Sequence, residues 1–153
     1  MHSDDDSAEA SVTEIDGVAV ATLAQEALHV DIGELRRLLD EHRASTVIGV
    51  VPPGMSSVAR YDACARAVEQ FADSDIDAAC AVVVVTDAIK RVRNGLVVET
   101  VARDALRWAR PPAFVKRSGI EHALIATVNG ATTMSLVPRS PVTLHVLAPA
   151  DDD

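Results

Sequence analysis

The sequence predicts an α/β domain built on a mostly parallel sheet, with one excursion of the chain as a β-hairpin arm. Three observations predict it. Residues 78–86 (AACAVVVVT) form a strand-length run, too uniformly apolar to leave either face in water. Two segments with apolar residues every three or four positions alternate with strand-like runs, the pattern of helices covering a sheet. Asn94-Gly95 stands between two β-prone runs and suits a two-residue hairpin turn.

Taken in order, residues 1–11 are polar and acidic, and an acidic tail without fixed structure is expected there. Residues 17–23 (GVAVATL) fit a strand or the start of a helix equally well. Asp31 predicts the N-cap of a helix to about His42, with Ile32, Leu35, Leu38 and Leu39 inward. Residues 45–51 (STVIGVV) read as a buried strand ended by Pro52-Pro53-Gly54. Ser56 or Ser57 caps a second helix to about Ala72, with Tyr61, Cys64, Val68 and Phe71 lining its inner face. After the strand at 78–86 comes the hairpin, residues 90–93 and 96–101. Pro111-Pro112 is expected to stop whatever residues 104–110 form. Ser118 and Glu121 match a capping box for a helix through Val128, with Gly130 beyond its end. Residues 142–147 alternate as a last strand. The expected organisation is one domain over residues 12–149, an arm at about 86–114 and a second acidic tail at 150–153.

A chain of 153 residues is long enough to bury a core without a disulfide or metal staple. Aromatic residues are 3%, so Val, Ala, Leu and Ile must build that core. The net charge of −9 repels phosphate backbones and anionic lipid, so neither nucleic acid nor a membrane is an expected partner. Cys64 and Cys80 form no CxxC pair and read as reduced, buried thiols of a cytoplasmic protein. The acidic N-terminus is unlike a secretion signal, and the longest apolar run is far short of a membrane span. The excess of arginine over lysine, with abundant alanine and valine, suits a GC-rich bacterial gene. Locally the charge reverses. Arg91, Arg93, Arg103, Arg107, Arg110 and Lys116 face only Glu99 and Asp104, which suggests either an anionic ligand or a solvated basic face.

Motifs of common chemistry are missing. There is no GxGxxG, no GxxxxGK[ST] and no GxSxG. The turn Pro52-Pro53-Gly54-Met55-Ser56-Ser57 precedes a helix, but its prolines offer no N–H to a phosphate, so it reads as a plain connection. His2, His29, His42, His122 and His145 lack metal-ligand spacing, and no metal site is expected. Asp73, Asp75 and Asp77 read as a polar loop, with a divalent ion as the minor alternative. No catalytic residue is assigned.

One stretch carries a family resemblance. It runs Val85-Thr86-Asp87-Ala88-Ile89-Lys90-Arg91-Val92, then Asn94-Gly95, then Val98-Glu99-Thr100-Val101-Ala102-Arg103-Asp104-Ala105-Leu106, then Pro111-Pro112-Ala113-Phe114. This order resembles the 2-C-methyl-D-erythritol 4-phosphate cytidylyltransferases, which read P-V-x-D-T-x-K-R, N-G, V-x-x-T-V-D-R-x-x-L-W and T-P-Q-x-F. A weaker likeness continues through Leu136-Val137-Pro138 and residues 142–149. The resemblance implies a reduced, Rossmann-like sheet of the nucleotide-diphospho-sugar transferase type. It also implies a homodimer in which the arm embraces a second subunit. By the same resemblance Arg103 would bind a substrate phosphate, assisted by Lys90 or Arg110. The family couples CTP to methylerythritol phosphate with magnesium, in isoprenoid precursor synthesis.

The departures from the family are specific. The glycine-rich A-A-G-x-G-x-R loop that wraps the triphosphate has no counterpart, and Val50-Val51-Pro52-Pro53-Gly54 stands where D-A-A-R-P is expected. Ala88 replaces a substrate-binding threonine, Pro111-Pro112-Ala113 replaces T-P-Q, and His145 replaces a lysine. Nucleotidyl transfer depends on positioned donors to phosphoryl oxygens, and losing one costs about 100- to 1,000-fold. The expectation is a non-catalytic relative, a pseudoenzyme that is a dimeric binding or regulatory protein without a cofactor and that holds at most a phosphorylated small molecule. The alternatives are an active cytidylyltransferase-like enzyme with an altered nucleotide site, for which magnesium would be needed, and an unrelated small α/β scaffold.

Overall fold

The chain enters the sheet through a hairpin set by Asp16-Gly17. Both residues take positive φ (50° and 82°), the backbone a two-residue turn needs to match strand twist. They join β1 (Glu9–Ile15) to β2 (Val18–Ala24) in unbroken antiparallel register, Glu9 opposite Ala24 and Ile15 opposite Val18. Strand pairing therefore begins inside the segment expected to be a tail, because β2 offers β1 a full ladder of backbone partners. Residues 17–23 resolve as strand. The computed structural model describes residues 9–72, 76–86, 88–102, 107–127, 129–137 and 144–147.

A short strand β3 (His29–Asp31) leads into helix α1 (Ile32–Glu41). Asp31 caps it as expected, its Oδ2 accepting from the Glu34 N–H at 2.9 Å, and Ile32, Leu35, Leu38 and Leu39 are buried. Strand β4 (Val47–Val51) is buried throughout. Helix α2 (Ser57–Phe71) is capped by Ser56, whose Oγ accepts from the Ala59 N–H at 3.1 Å. Its buried line is Ala63, Cys64 and Ala67, with Val68 and Phe71 partly buried beside it. Tyr61 departs from expectation. Small alanines let the helix settle on the sheet along the 63–67 line, which leaves Tyr61, roughly 100° away around the axis, 54% exposed.

Strand β5 (Ala78–Val84) follows, then the arm, β6 (Ile89–Arg93) and β7 (Leu96–Val101), paired antiparallel as a separate two-stranded sheet. Asn94 and Gly95 both have positive φ (54° and 79°), the turn their sequence predicts. Strand β8 (Arg107–Lys116), helix α3 (Arg117–Ala126), strand β9 (Thr133–Ser135) and strand β10 (Leu144–Leu147) complete the described chain. β9 pairs antiparallel with β3.

The main sheet has the order β1-β2-β4-β8-β5-β10. β2, β4, β5 and β10 run one way; β8 runs against both its neighbours, and β1 against β2. The fold is thus α/β with most strands codirectional. The arm is narrower than expected, because residues 107–114 belong to the central sheet. Pro111-Pro112 does not stop a strand. It lies within β8 at a register shift, where Cys80 pairs with Ala113 and Ala81 with Arg110, so the two prolines fall in the step of the ladder. β4 has already left that edge, its last pair with β8 being Val50 with Ala113.

Helices cover both faces. On one, α2 packs with Ile15, Val20, Val47, Val51, Ala79 and Phe114; on the other, α1 and Ile120 of α3 cover Ile48, Val50, Ala78, Cys80, Ala113 and Val115. Phe114 is fully buried and lies between Gly49 and Ala79 in the ladder. A Cβ on Gly49 would come within 2.4 Å of the Phe114 ring and 2.9 Å of the Ala113 carbonyl, so the strand interior needs glycine there.

Helix α3 corrects the capping-box reading. Its N-cap is Lys116, without a side-chain cap, and Ser118 falls inside the first turn. Glu121 instead accepts from Arg117 Nε at 2.9 Å. The Arg117 guanidinium also donates to the carbonyls of Leu39 (2.8 Å), His42 (3.0 Å) and Ser45 (3.2 Å), so an arginine of α3 closes the C-terminal end of α1.

Two stability outcomes follow from these contacts. Gly49→Ala should destabilise the domain by about 1–3 kcal/mol in urea unfolding, and Phe114→Leu in the same background should recover part of the loss. Arg117→Ala should cost about 2–4 kcal/mol, because three carbonyls lose a charged donor. Arg117→Lys should restore only part of that, an ammonium lacking the planar fork.

Candidate functional site

The codirectional strands β4 and β5 end at the same edge of the sheet, where α2 begins and the arm departs. The basic segment leaves from this edge, so it is the place to look for a ligand site. Lys90 lies in β6, exposed, and its Nζ donates to Thr100 Oγ1 across the hairpin at 2.9 Å. Arg91 Nε meets Glu99 Oε1 at 2.7 Å, also across the hairpin and also exposed. Exposed pairs of this kind contribute about 0–1 kcal/mol, and here they fix the pitch of the arm.

Arg110 lies in β8 opposite Ala81. It is exposed and makes no hydrogen bond or ion pair with another described residue. No ladder joins β6 or β7 to β8, so Lys90 and Arg110 stand on separate sheets. Arg103, the residue expected to hold a phosphate, lies outside the described residues, as do Asp73, Asp75 and Asp87. The side chain of His145 is likewise outside the description, although its backbone pairs with Ala79.

Sequence reasoning missed the apolar character of this edge. Val92, Leu96, Val97 and Val98 on the arm are 53–69% exposed. Trp108, on the part of β8 that runs past the end of β4, is half exposed. The signal was present in the run Leu96-Val97-Val98, which has no apolar partner within its own hairpin beyond Val92. Consecutive strand residues alternate between faces, so Leu96 and Val97 leave apolar side chains exposed on both faces of the arm.

The exits of two of these strands, β2 and β4, are held by local hydrogen bonds. After β2, Gln25 N–H bonds to the Val51 carbonyl at 2.9 Å, and Gln25 Nε2 donates to the carbonyls of Ala27 and His29 at 2.7 and 2.8 Å. After β4, Gly54 takes φ of 79° and the Met55 N–H reaches the Pro52 carbonyl at 3.3 Å. A groove of about 490 Å³ between α1 and α3 is lined by Arg36, Asp40, Arg117 and Glu121 with Leu124 and Ile125, but the Arg117 fork in it is already bonded to three carbonyls. Among the described residues, no three His, Cys, Asp or Glu side chains converge as metal ligands. No helix among them is long and apolar enough to cross a membrane.

Both cysteines are buried. Burial pushes the Cys64 thiol above the ordinary range, against smaller opposing effects of a Thr13 hydrogen bond and the Arg60 charge. Burial alone raises Cys80. Neither is a ready thiolate at neutral pH.

No family profile and no curated protein matches this sequence. Among solved structures, the chain is similar to a 4-diphosphocytidyl-2C-methyl-D-erythritol synthase at 27% identity and a TM-score of 0.41, covering 63% of this chain and 45% of that one. It is also similar to the 2-C-methyl-D-erythritol 4-phosphate cytidylyltransferase of Francisella tularensis at 23% identity and a TM-score of 0.34, covering 54% of this chain and 42% of that one. The chain therefore spans less than half the length of either structure.

The thiol burial predicts a pH dependence. A folded-state pKa above the unfolded value stabilises the fold below the unfolded pKa, and that contribution is lost as pH rises through the folded one. Urea midpoints should therefore fall between about pH 8 and pH 10. The fall should be steeper in the native sequence than in a Cys64→Ala/Cys80→Ala variant, with the pH slope as the readout.

Proposed function

We propose that this protein is a non-catalytic, dimeric relative of the methylerythritol phosphate cytidylyltransferases, a cytoplasmic binding or regulatory protein that pairs through its hairpin arm. The observation that carries the reading is the arm itself. Its two strands stand outside the main sheet with Val92, Leu96, Val97 and Val98 in water, in the segment whose sequence resembles the dimerisation arm of that family. Burying those side chains against a partner would recover roughly 1.5–3 kcal/mol each.

The exits of β2 and β4 support the non-catalytic part of the reading. A triphosphate needs several convergent N–H or cationic donors, and here the Gln25 side chain stands at the exit of β2 and the Pro52-Pro53 turn at that of β4. The proposed ligand capacity is one phosphate group, held by Arg103 with Lys90 or Arg110. Lys90 would have to exchange its Thr100 bond for the ligand.

Two measurements test the reading. Sedimentation equilibrium should give a dimer at micromolar concentration, and Leu96→Asp should give a folded monomer; a native monomer would overturn the proposal. Thermal shift should show no effect of CTP with magnesium. An upward shift of roughly 5–10 °C with CTP, the size expected at 100 times the dissociation constant, would favour an active enzyme instead. A shift with methylerythritol phosphate that Arg103→Ala abolishes would establish the phosphate site.

A further inference from the structure

The main sheet ends on one side at β1, and β1 is an open edge. It pairs with β2 over all seven residues without a bulge and contains neither proline nor lysine, so none of these common devices blunts it. Among the described residues, its outer N–H and C=O groups have no backbone partner. Cross-strand partners share a face, so Ala10 (opposite Leu23), Val12 (opposite Ala21) and Glu14 (opposite Ala19) lie on the α1 side of the sheet. The cover of α1 stops short of them: Ala10 and Glu14 are exposed, and Val12 is 43% exposed. Between this edge and α1 runs a groove of about 190 Å³, lined by Ala10, Leu23 and Leu38 with Glu34, Arg37 and Glu41. Counting Glu14 on the same face, three carboxylates stand against one guanidinium.

We propose that an extended peptide segment with basic side chains adds to β1 as a further strand, its alternate residues lying in the groove beside α1. The inference is independent of the arm and of the dimeric reading. In strand addition, main-chain bonds supply affinity and the pockets under alternate side chains supply specificity. Charge selects the occupant. The chain's own ends, with Asp4, Asp5 and Asp6 at one and Asp151, Asp152 and Asp153 at the other, carry the same sign as the groove. Two β1 strands paired antiparallel would bring the Glu9 end of each to the Glu14 end of the other. The arm is basic, but its Lys90 and Arg91 are engaged with Thr100 and Glu99 across their own hairpin. A partner segment bearing lysine or arginine meets none of these obstacles. Spacing suits it as well. Glu34 and Glu41 are seven residues apart on α1, about 10.5 Å along the axis, and side chains four residues apart on one face of a strand are about 13 Å apart. A lysine on either side of one apolar residue therefore spans the two carboxylates, with its stem along Leu23 and Leu38. The intervening residues turn to the other face, where Ser11 and Thr13 offer hydroxyls.

The test uses the full chain and a fluorescein-labelled heptapeptide, Thr-Lys-Thr-Val-Thr-Lys-Thr. The probe should bind saturably, and it should slow hydrogen exchange at those amides of residues 9–15 that exchange freely in the protein alone. Glutamate in place of both lysines should abolish binding. N-methylation of two consecutive central amides, which removes a ladder donor and keeps every side chain, should abolish it too. Glu41→Lys and Ala10→Arg, both at exposed sites, should each weaken binding by about fivefold or more and leave the urea midpoint nearly unchanged. A probe that does not bind, or whose N-methylated form binds equally well, overturns the inference. So does a protein in which every amide of residues 9–15 is protected before the probe is added, since the chain then covers its own edge. If Ala10→Arg or Glu41→Lys loosens the dimer and leaves probe binding unchanged, another copy is the occupant, and the inference fails while the dimer stands.

Discussion

Strand β8 runs between β4 and β5 and against both of them, and the order of the sheet follows from that placement. With β8 in the middle, its side chains must suit two neighbouring strands and two helical layers at once. Phe114 meets this by facing α2 while Gly49 on one side and Ala79 on the other leave space for the ring. Ala113 and Val115 meet it on the opposite face beneath α1 and α3. In a chain with only 3% aromatic residues, one phenylalanine at the crossing of every layer carries an outsized share of the packing. The small residues of β5, Ala78 to Ala81, are the corresponding surface: all are buried, and their short side chains leave room for the cover on both faces.

The same placement explains why the arm projects. β5 and β8 are antiparallel neighbours and a short turn would join them, yet the chain makes a separate hairpin in between. That hairpin gains no burial from its own body, since almost all of both strands is exposed. Isolated two-stranded hairpins are marginal in water. The Asn94-Gly95 turn, the Lys90–Thr100 bond and the Arg91–Glu99 pair hold its shape. Val92 and Val97 face each other across the ladder, yet both stay more than half exposed, as do Leu96 and Val98.

Local chemistry that acts within a few residues was legible in the sequence. The Asp31 cap, the four inward residues of α1 and the Asn94-Gly95 turn are all decided by neighbours on the same element. Features decided by distant partners were not. Nothing near Pro111-Pro112 reveals that β5 will tolerate a step in the ladder and that β4 will stop short, which is what keeps the prolines inside a central strand. Ser118 and Glu121 have capping-box spacing, but Arg117 is claimed by carbonyls more than seventy residues away, and the helix start is fixed by that anchor. Tyr61 has core periodicity, yet the alanines beside it set the line of approach to the sheet. The Asp16-Gly17 turn is the exception: its signal was as local as that of Asn94-Gly95 and lies between two alternating runs, and the acidic character of the preceding residues obscured it.

The basic segment shows why charge count and binding capacity differ. In sequence it is one run of cations with few acids to answer them. In the fold those cations have separate employments. Arg117 satisfies the end of α1, Arg91 answers Glu99, Lys90 bonds Thr100, and Lys116 lies over the Phe71 ring. A phosphate site needs donors that converge on one point without prior partners of comparable strength, because each bond broken to receive the ligand is subtracted from its affinity. By that measure Arg110 is the best placed of the described candidates, on a strand that also carries Arg107 and Lys116. An anion at this edge would need further cations converging with Arg110, and Lys90 and Arg91 would each have to give up a bond across the hairpin to supply one.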